Sequence, residues 1–260
     1  MGNSSNTSSD SETPGGKSAS GKGIAYRRIL LKLSGEVFGG EAGIGFDHNV
    51  IKGIASQVND VASLGIEIGL VVGGGNIFRG ASSAPAGFDR VTGDHMGMLA
   101  TVINAICLQE ALEAHGLETR VMTAFEIRSI AEPYIKRRAH RHLEKGRVII
   151  FAGGTGHPFF TTDTAAALRA SEIGAEVLIK GTKVDGIYSS DPVRDSSAVR
   201  YETLSYQEVL RNELRIMDTT AIAFCKDNGI PILVLNIEKS GTLLKVMKGH
   251  SEGTLVTQNG

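Results

Sequence analysis

Cysteine is scarce in this 260-residue chain, with only Cys107 and Cys225, far apart. Each falls in an apolar, helix-like pattern, which describes buried thiols in a reducing compartment and argues against a disulfide framework or a clustered metal site. Neither sign of charge is in excess. The 27 Lys and Arg against 28 Asp and Glu give a formal net charge of -1, so nothing in the balance points to nucleic acid or an anionic membrane. No apolar run approaches the ~20 residues needed to span a bilayer, and no membrane partner is expected. The first 23 residues are rich in Ser and Gly but lack the apolar core of a secretory signal and the arginines of a transit peptide. Residues 1–23 are expected to be a disordered tail, and the protein to be cytoplasmic. The GGKS within that tail looks like the end of a Walker A loop, yet Ser11 stands where its first glycine belongs and no strand precedes it. A dinucleotide oxidoreductase is disfavoured too, because no G-x-G-x-x-G opens a helix after the first strand.

What the chain does have is a repeated pattern of apolar strand followed by a polar, glycine-bearing turn. It is plainest in RVIIFAGGTGHPFFTTDTAAALR (Arg147–Arg169). There Val148–Phe151 runs into Gly153, Gly154 and Gly156, and Thr161, Thr162 and Asp163 can each cap the helix that follows. Three other stretches share the pattern: Ile29–Gly35, Ile68–Arg79 and Val177–Asp191. Glycine lets backbone approach a ligand, and a helix start presents unpaired N–H groups to an anion. Parallel strands bring such turns to one sheet edge, so four of them describe a site for something phosphorylated. With 41% hydrophobic residues and strands alternating with helices, residues 24–260 are expected to form one α/β domain, a mainly parallel sheet with helices on both faces.

Single residues carry two readings each. Lys32, near the end of an apolar strand, either pairs with an acid or lies beside a phosphate. Arg79, beyond Gly73–Gly75, favours phosphate contact over simple solvation. Ala81–Arg90 reads as a flexible segment over the site. Asp94 is either the N-cap of a long helix reaching His115 or a site residue. Asp47 is expected to open a helix through Leu64, and the Gly39–Gly45 loop to be mobile. The basic run Lys136–Arg147 reads as a solvated helix face before an effector or subunit contact, with no aromatic platform for nucleic acid. Residues Gly181–Asp191 read as a looped-out hairpin with Tyr188 at its tip, and Ser205–Glu208 as a capping box.

Six motifs, in order and at matching spacing, carry a resemblance: KLSGE (Lys32–Glu36), GGGNIFRG (Gly73–Gly80), GDHMGMLAT (Gly93–Thr101), GTGHPFFTTD (Gly154–Asp163), KVDGIYSSDP (Lys183–Pro192) and MDTTA (Met217–Ala221). Together they closely resemble the bacterial-type uridylate kinases, the UMP-specific branch of the amino acid kinase fold family, over nearly all of Tyr26–Val256. The resemblance implies a three-layer αβα sandwich, with an acceptor-binding N-terminal part and an ATP-binding part from about residue 175. It implies transfer of the γ-phosphoryl group of Mg-ATP to UMP in pyrimidine nucleotide biosynthesis.

By that resemblance Lys32, Leu33, Ser34 and Gly35 lie on the ATP phosphates with Gly75 and Arg79, while Thr182, Tyr188 and Asp191 hold the adenine nucleotide. Gly74 and Asp94 contact UMP, and Thr155, Gly156, His157, Pro158, Phe159, Phe160, Thr161 and Thr162 wrap it. Asp163 and Asp218 orient the active-site lysines and the metal–phosphate complex, with Mg²⁺ carried by the ATP phosphates. Lys32, Arg79, Asp163 and Asp218 are thus the expected catalytic set. His157 stands where the family often has asparagine, and Gly181 where it usually has alanine, which is expected to loosen a loop. The resemblance also implies a homohexamer built from dimers. It further implies GTP or UTP as effectors, with Gly40, Glu41, Ala42, Gly43, Ile44 and Gly45 resembling an effector-linked segment. A kinase of the same fold acting on a carboxylate or carbamate would keep the ATP half and differ around Asp94 and Thr155–Thr162. A nucleotide sensor would more readily have lost Lys32 or Asp163.

Overall fold

The computed structural model describes residues 23–78, 89–190, 192, 195, 197–214 and 216–260. Among them are nine strands: β1 (Arg28–Leu33), β2 (Glu67–Val72), β3 (Thr119–Thr123), β4 (Glu132–Pro133), β5 (Val148–Ala152), β6 (Val177–Thr182), β7 (Thr203–Ser205), β8 (Ile232–Asn236) and β9 (Thr254–Thr257). They form one sheet in the order β4-β3-β5-β2-β1-β6-β8-β9-β7. Every pairing is parallel except that of β8 with β9. The central strands are near-continuous apolar runs, as a sheet covered on both faces requires.

Alternation along each strand divides the core in two. Ile29, Leu31 and Leu33 face one side of the sheet with Ile179 and Leu235, beneath α2 (His48–Ala62), α3 (Arg90–Glu113) and α8 (Thr242–Met247). Leu30 and Leu178 face the other side, beneath α4 (Lys136–Glu144), α5 (Thr162–Ile173), α6 (Tyr206–Arg211) and α7 (Thr219–Asp227). This is the αβα sandwich that the motifs implied. One short helix, α1 (Gly35–Phe38), follows β1 directly, and a 3-10 turn spans Gly40–Ala42.

Several boundaries differ from expectation. Asp47 does cap α2, accepting from the N–H groups of Asn49 and Val50, but the helix stops at Ala62, and Gly65 (φ 77°) turns the chain. Asp94 caps nothing: α3 begins at Arg90, and Asp89 caps it by accepting from Thr92 N at 3.2 Å. Gly181 and Thr182 belong to β6 rather than to a loop, with Gly181 paired between Leu33 and Leu235. The Gly39–Gly45 loop is anchored, since Gly45 and Asn76 exchange hydrogen bonds of 2.9 and 2.8 Å. Among the described residues α3 alone is long and apolar enough to cross a bilayer by length and composition, contrary to the reading that no stretch comes close. Here it lies against the sheet, burying Val102, Ala105, Leu108 and Leu112. Arg79, Asp191, residues 1–22 of the expected tail and residues 81–88 of the expected flexible segment lie outside the described residues.

Candidate active site

The strand order β5-β2-β1-β6 places the four glycine-bearing turns side by side at the carboxyl edge of the sheet. Lys32 and Lys180 are direct cross-strand partners in β1 and β6, each continuing the row begun by Leu30 and Leu178 on the α5 side. Like charges directly opposite repel, so this register needs an anion. Asp163, in the first turn of α5, supplies one. Its Oδ1 lies 2.7 Å from Lys32 Nζ and its Oδ2 3.2 Å from Lys180 Nζ. Lys180 also donates to the Ile216 carbonyl. Lys32 is only 6% exposed, so its ammonium sits in a largely desolvated place.

One carboxylate thus bridges two ammonium groups, and the nearby Asp218 adds a second negative charge that favours the charged form of Lys180. The proton affinities express this balance. Burial alone would raise the Asp163 carboxyl, but the two lysines outweigh it and hold it below the ordinary carboxylate range. Burial pushes the Lys180 ammonium down; attraction to Asp163 opposes this, and repulsion from Lys32 adds to it. The downward direction at Lys180 is therefore chiefly the cost of burial, which phosphate oxygens arriving between the lysines would offset.

The start of α5 is fixed by a second acid. Thr161 is the N-cap, accepting from Asp163 N at 3.0 Å and Thr164 N at 3.3 Å, so Asp163 is free of capping duty. Thr161 and Thr164 both donate to Asp218, which itself caps α7 by accepting from Ala221 N at 2.9 Å. Asp218 therefore contacts the lysine cluster through α5, and its charge acts on Lys180 as well.

Beside this cluster lies a hollow lined by Gly74, Asp94, Thr101, Gly154, His157, Phe160 and Thr162, with Phe78, Gly93, Gly97 and Met98 completing its wall. Asp94 accepts from Phe159 N at 2.8 Å and pairs with Arg90 at 3.1 Å. The contact holds Phe159 in a left-handed conformation (φ 73°) that a bulky side chain rarely adopts, with the Arg90 guanidinium 5.6 Å from the ring centre. Thr155, Gly156 and Pro158 complete the same loop, and the Thr155 hydroxyl donates to the His157 carbonyl at 3.1 Å.

Protein packing by itself requires glycine at Gly35 after β1 and at Gly74 after β2. A Cβ on Gly35 would lie 2.4 Å from Gly75 N, and one on Gly74 would lie 2.8 Å from the Gly97 carbonyl of α3. Leu33 belongs to the core: its side chain is fully buried on the α2 face, because strand alternation turns it away from Lys32. Ser34 precedes α1 without a side-chain capping bond. The Thr182 hydroxyl accepts from Val184 N at 2.8 Å, and Tyr188 donates to Asp185 at 2.7 Å beside a bridge to Arg200. Lys183 donates to the Gly40 carbonyl, so the Gly40–Gly45 segment is joined to the β6 side of the site.

Sequence reasoning missed Lys180, Thr101 and the buried pair Asn76–Asn104. Lys180 did carry a signal, since VLIK repeats the apolar-strand-then-lysine pattern of ILLK in β1.

Residues 27–236 match the sequence profile of the amino acid kinase family. The chain is 54% identical over 231 residues to the uridylate kinase of Methylococcus capsulatus, covering 89% of this chain and 97% of that one. Among solved structures, UMP kinase from Bacillus anthracis superposes with a TM-score of 0.87 at 38% identity, covering 90% of this chain and 97% of the other. UMP kinase from Ureaplasma parvum gives a TM-score of 0.84 at 34% identity, over 90% and 100%. The fold is accordingly that of the amino acid kinase family, to which the chain belongs. Within that family it belongs with the bacterial-type uridylate kinases.

Proposed function

We propose that the protein transfers the γ-phosphoryl group of Mg-ATP to UMP, giving UDP and ADP in pyrimidine nucleotide biosynthesis in the cytoplasm. The observation that carries this reading is the largely buried Lys32–Asp163–Lys180 row, two lysines held by one bridging carboxylate beside the Asp94 hollow. Phosphoryl transfer asks for positioning and charge stabilisation more than covalent chemistry. Lys32 and Lys180 stabilise the equatorial oxygens of the transferring group, and Asp163 holds both ammonium groups aimed at it. Asp218 keeps α5, and with it Asp163, in register. The turns at Ser34–Gly35 and Gly75, with Arg79, receive the ATP phosphates through backbone N–H groups and charge. Thr182, Tyr188 and Asp191 take the adenine nucleotide, making residues from about 175 the ATP part and those before it the acceptor part.

UMP lies in the hollow, with Asp94 accepting from the ribose and Gly74 and Thr155–Thr162 around the uridine monophosphate. Its phosphate has a second pKa near ~6 and is mostly dianionic at neutral pH, so no protein base is needed and the seven histidines are free of that role. The donor set fits a Mg²⁺ that arrives on ATP. Both Asp163 oxygens face lysines, both Asp218 oxygens face hydroxyl or N–H donors, and the described residues contain no cluster of three His, Cys, Asp or Glu. When bound, the ion neutralises phosphate charge. The protein acts as a homo-oligomer, a hexamer by resemblance, with GTP and UTP as candidate effectors acting through Gly40–Gly45.

The test is ADP formation with Mg-ATP against UMP, CMP, dUMP, N-acetylglutamate, aspartate and carbamate. Turnover confined to UMP is expected. Turnover on a carboxylate or carbamate instead keeps the lysine row and discards the hollow's assignment, and nucleotide binding without turnover makes the protein a sensor.

A further inference from the structure

Helix α3 carries three polar side chains that reach two glycine turns. At 94, Asp94 accepts from Phe159 N at 2.8 Å. Two turns on, the Thr101 hydroxyl accepts from Gly153 N at 2.8 Å while donating to the Met98 carbonyl at 2.7 Å. One turn further, Asn104 donates to the Gly73 carbonyl at 2.6 Å. Spacings of seven and three put all three on one helical face. The turn after β2 and the turn after β5 are therefore fastened to the same rod, three residues apart.

Asn104 is fixed in turn by Asn76. The two amides bond reciprocally at 2.7 and 3.1 Å, and the remaining Asn76 hydrogen goes to the Gly45 carbonyl at 2.8 Å. Both residues are buried. The carbonyls of Gly73 and Gly45, one at each end, set the orientation of the pair, because flipping either amide would point oxygen at oxygen. All four amide hydrogens are used, so the pair forms a satisfied buried network that favours one geometry. Backbone contact adds to it, since Gly74 lies so close to Gly97 and Ala100 that no Cβ fits between.

We infer that Thr101 and Asn104 are positioning residues of phosphoryl transfer: α3 sets the spacing between the turn after β2, where Gly75 meets the donor phosphates and Gly74 the acceptor, and the turn after β5 that surrounds the acceptor. The inference rests on the UMP kinase reading. Neither side chain has to touch a reacting group, because an error in the separation of the two turns is enough to spoil in-line alignment.

The experiment compares Thr101→Val, Thr101→Ser and the native protein for kcat and KM toward ATP and UMP, with thermal unfolding of each. Valine keeps the shape and removes the acceptor for Gly153 N, whereas serine keeps the acceptor. The expected result is kcat lowered roughly ten- to a hundredfold in Thr101→Val, with both KM values within about threefold and near-native turnover in Thr101→Ser. Asn104→Asp, which replaces the donor to the Gly73 carbonyl by an acceptor, should shift kcat in the same direction. Native kcat in Thr101→Val, a loss confined to KM, or a loss that merely tracks unfolding overturns the inference and leaves the functional reading intact. A native protein that turns over other acceptors but not UMP overturns both.

Discussion

Lys32 and Lys180 face each other across β1 and β6 with Asp163 bridging them, and the chemistry of the site follows from that pair of ammonium groups. Lys32→Ala removes one of two charges aimed at the transferring phosphoryl group, and kcat should fall about two to four decades with the fold retained. Turnover close to native in that variant, with native circular dichroism, would sink the assignment. The shared carboxylate also predicts a pH profile. Lys180 loses its proton below the 10.5 of an ordinary lysine, chiefly through burial, so the alkaline limb of kcat/KM should lie below 10.5. An active Lys180→Arg variant should lack that limb, and a native limb at or above 10.5 would contradict the picture. For stability the sign at Lys180 is the reverse of a favourable pair. Its folded value lies below its unfolded one, so folding gains as pH rises between them. Asp163 behaves as a stabilised carboxylate: its contribution is present above the unfolded value of about 4 and is lost as pH falls through the lower folded value.

At the scale of elements, helix starts do two kinds of work. Ser205 caps α6 by accepting from Glu208 N, and Glu208 returns the bond to Ser205 N at 2.8 Å, far along the chain from the lysine row. Ser205→Ala should cost about 1 kcal/mol and lower Tm by a few degrees with kcat unchanged. Differential scanning calorimetry beside the ADP assay checks both halves, and a change in kcat would show that α6 bears on the site. The caps at Asp47, Thr161 and Ser205 were legible because a cap is a local affair of three or four residues. Other elements were not. β4 has two residues and β7 three, too few for any alternation to register. α8 starts from Gly241 at φ 77° with no capping side chain, so the sequence carries no start signal there. Asp94 misled for the opposite reason, as a good capping residue that happens to lie one turn inside a helix already capped by Asp89.

For the whole molecule, the outer side of α3 is the feature without a partner in a single chain. Met96, Leu99, Ile103 and Ile106, spaced three, four and three residues apart, are 37–50% exposed and form an apolar seam opposite the Asp94–Thr101–Asn104 face. Such a seam suits a second copy of this helix. Sedimentation should find the native protein as an oligomer, and Leu99→Glu with Ile103→Glu should lower its mass while leaving secondary structure unchanged. A native monomer, or an unaltered mass in the double variant, would exclude the seam as the self-association surface.

The strands, their glycine turns and the single motifs belong to the sequence by itself, because each depends on residues within about a dozen positions of one another, and the order of the motifs is read directly along the chain. That was enough for an α/β sandwich, a phosphate-binding edge and a family. Lys180 opposite Lys32, Asp163 between them, and Thr101 and Asn104 on the two turns were decided only by the tertiary structure. Those contacts join residues 17 to 148 positions apart, so their distances follow from strand order and helix packing rather than from any local pattern.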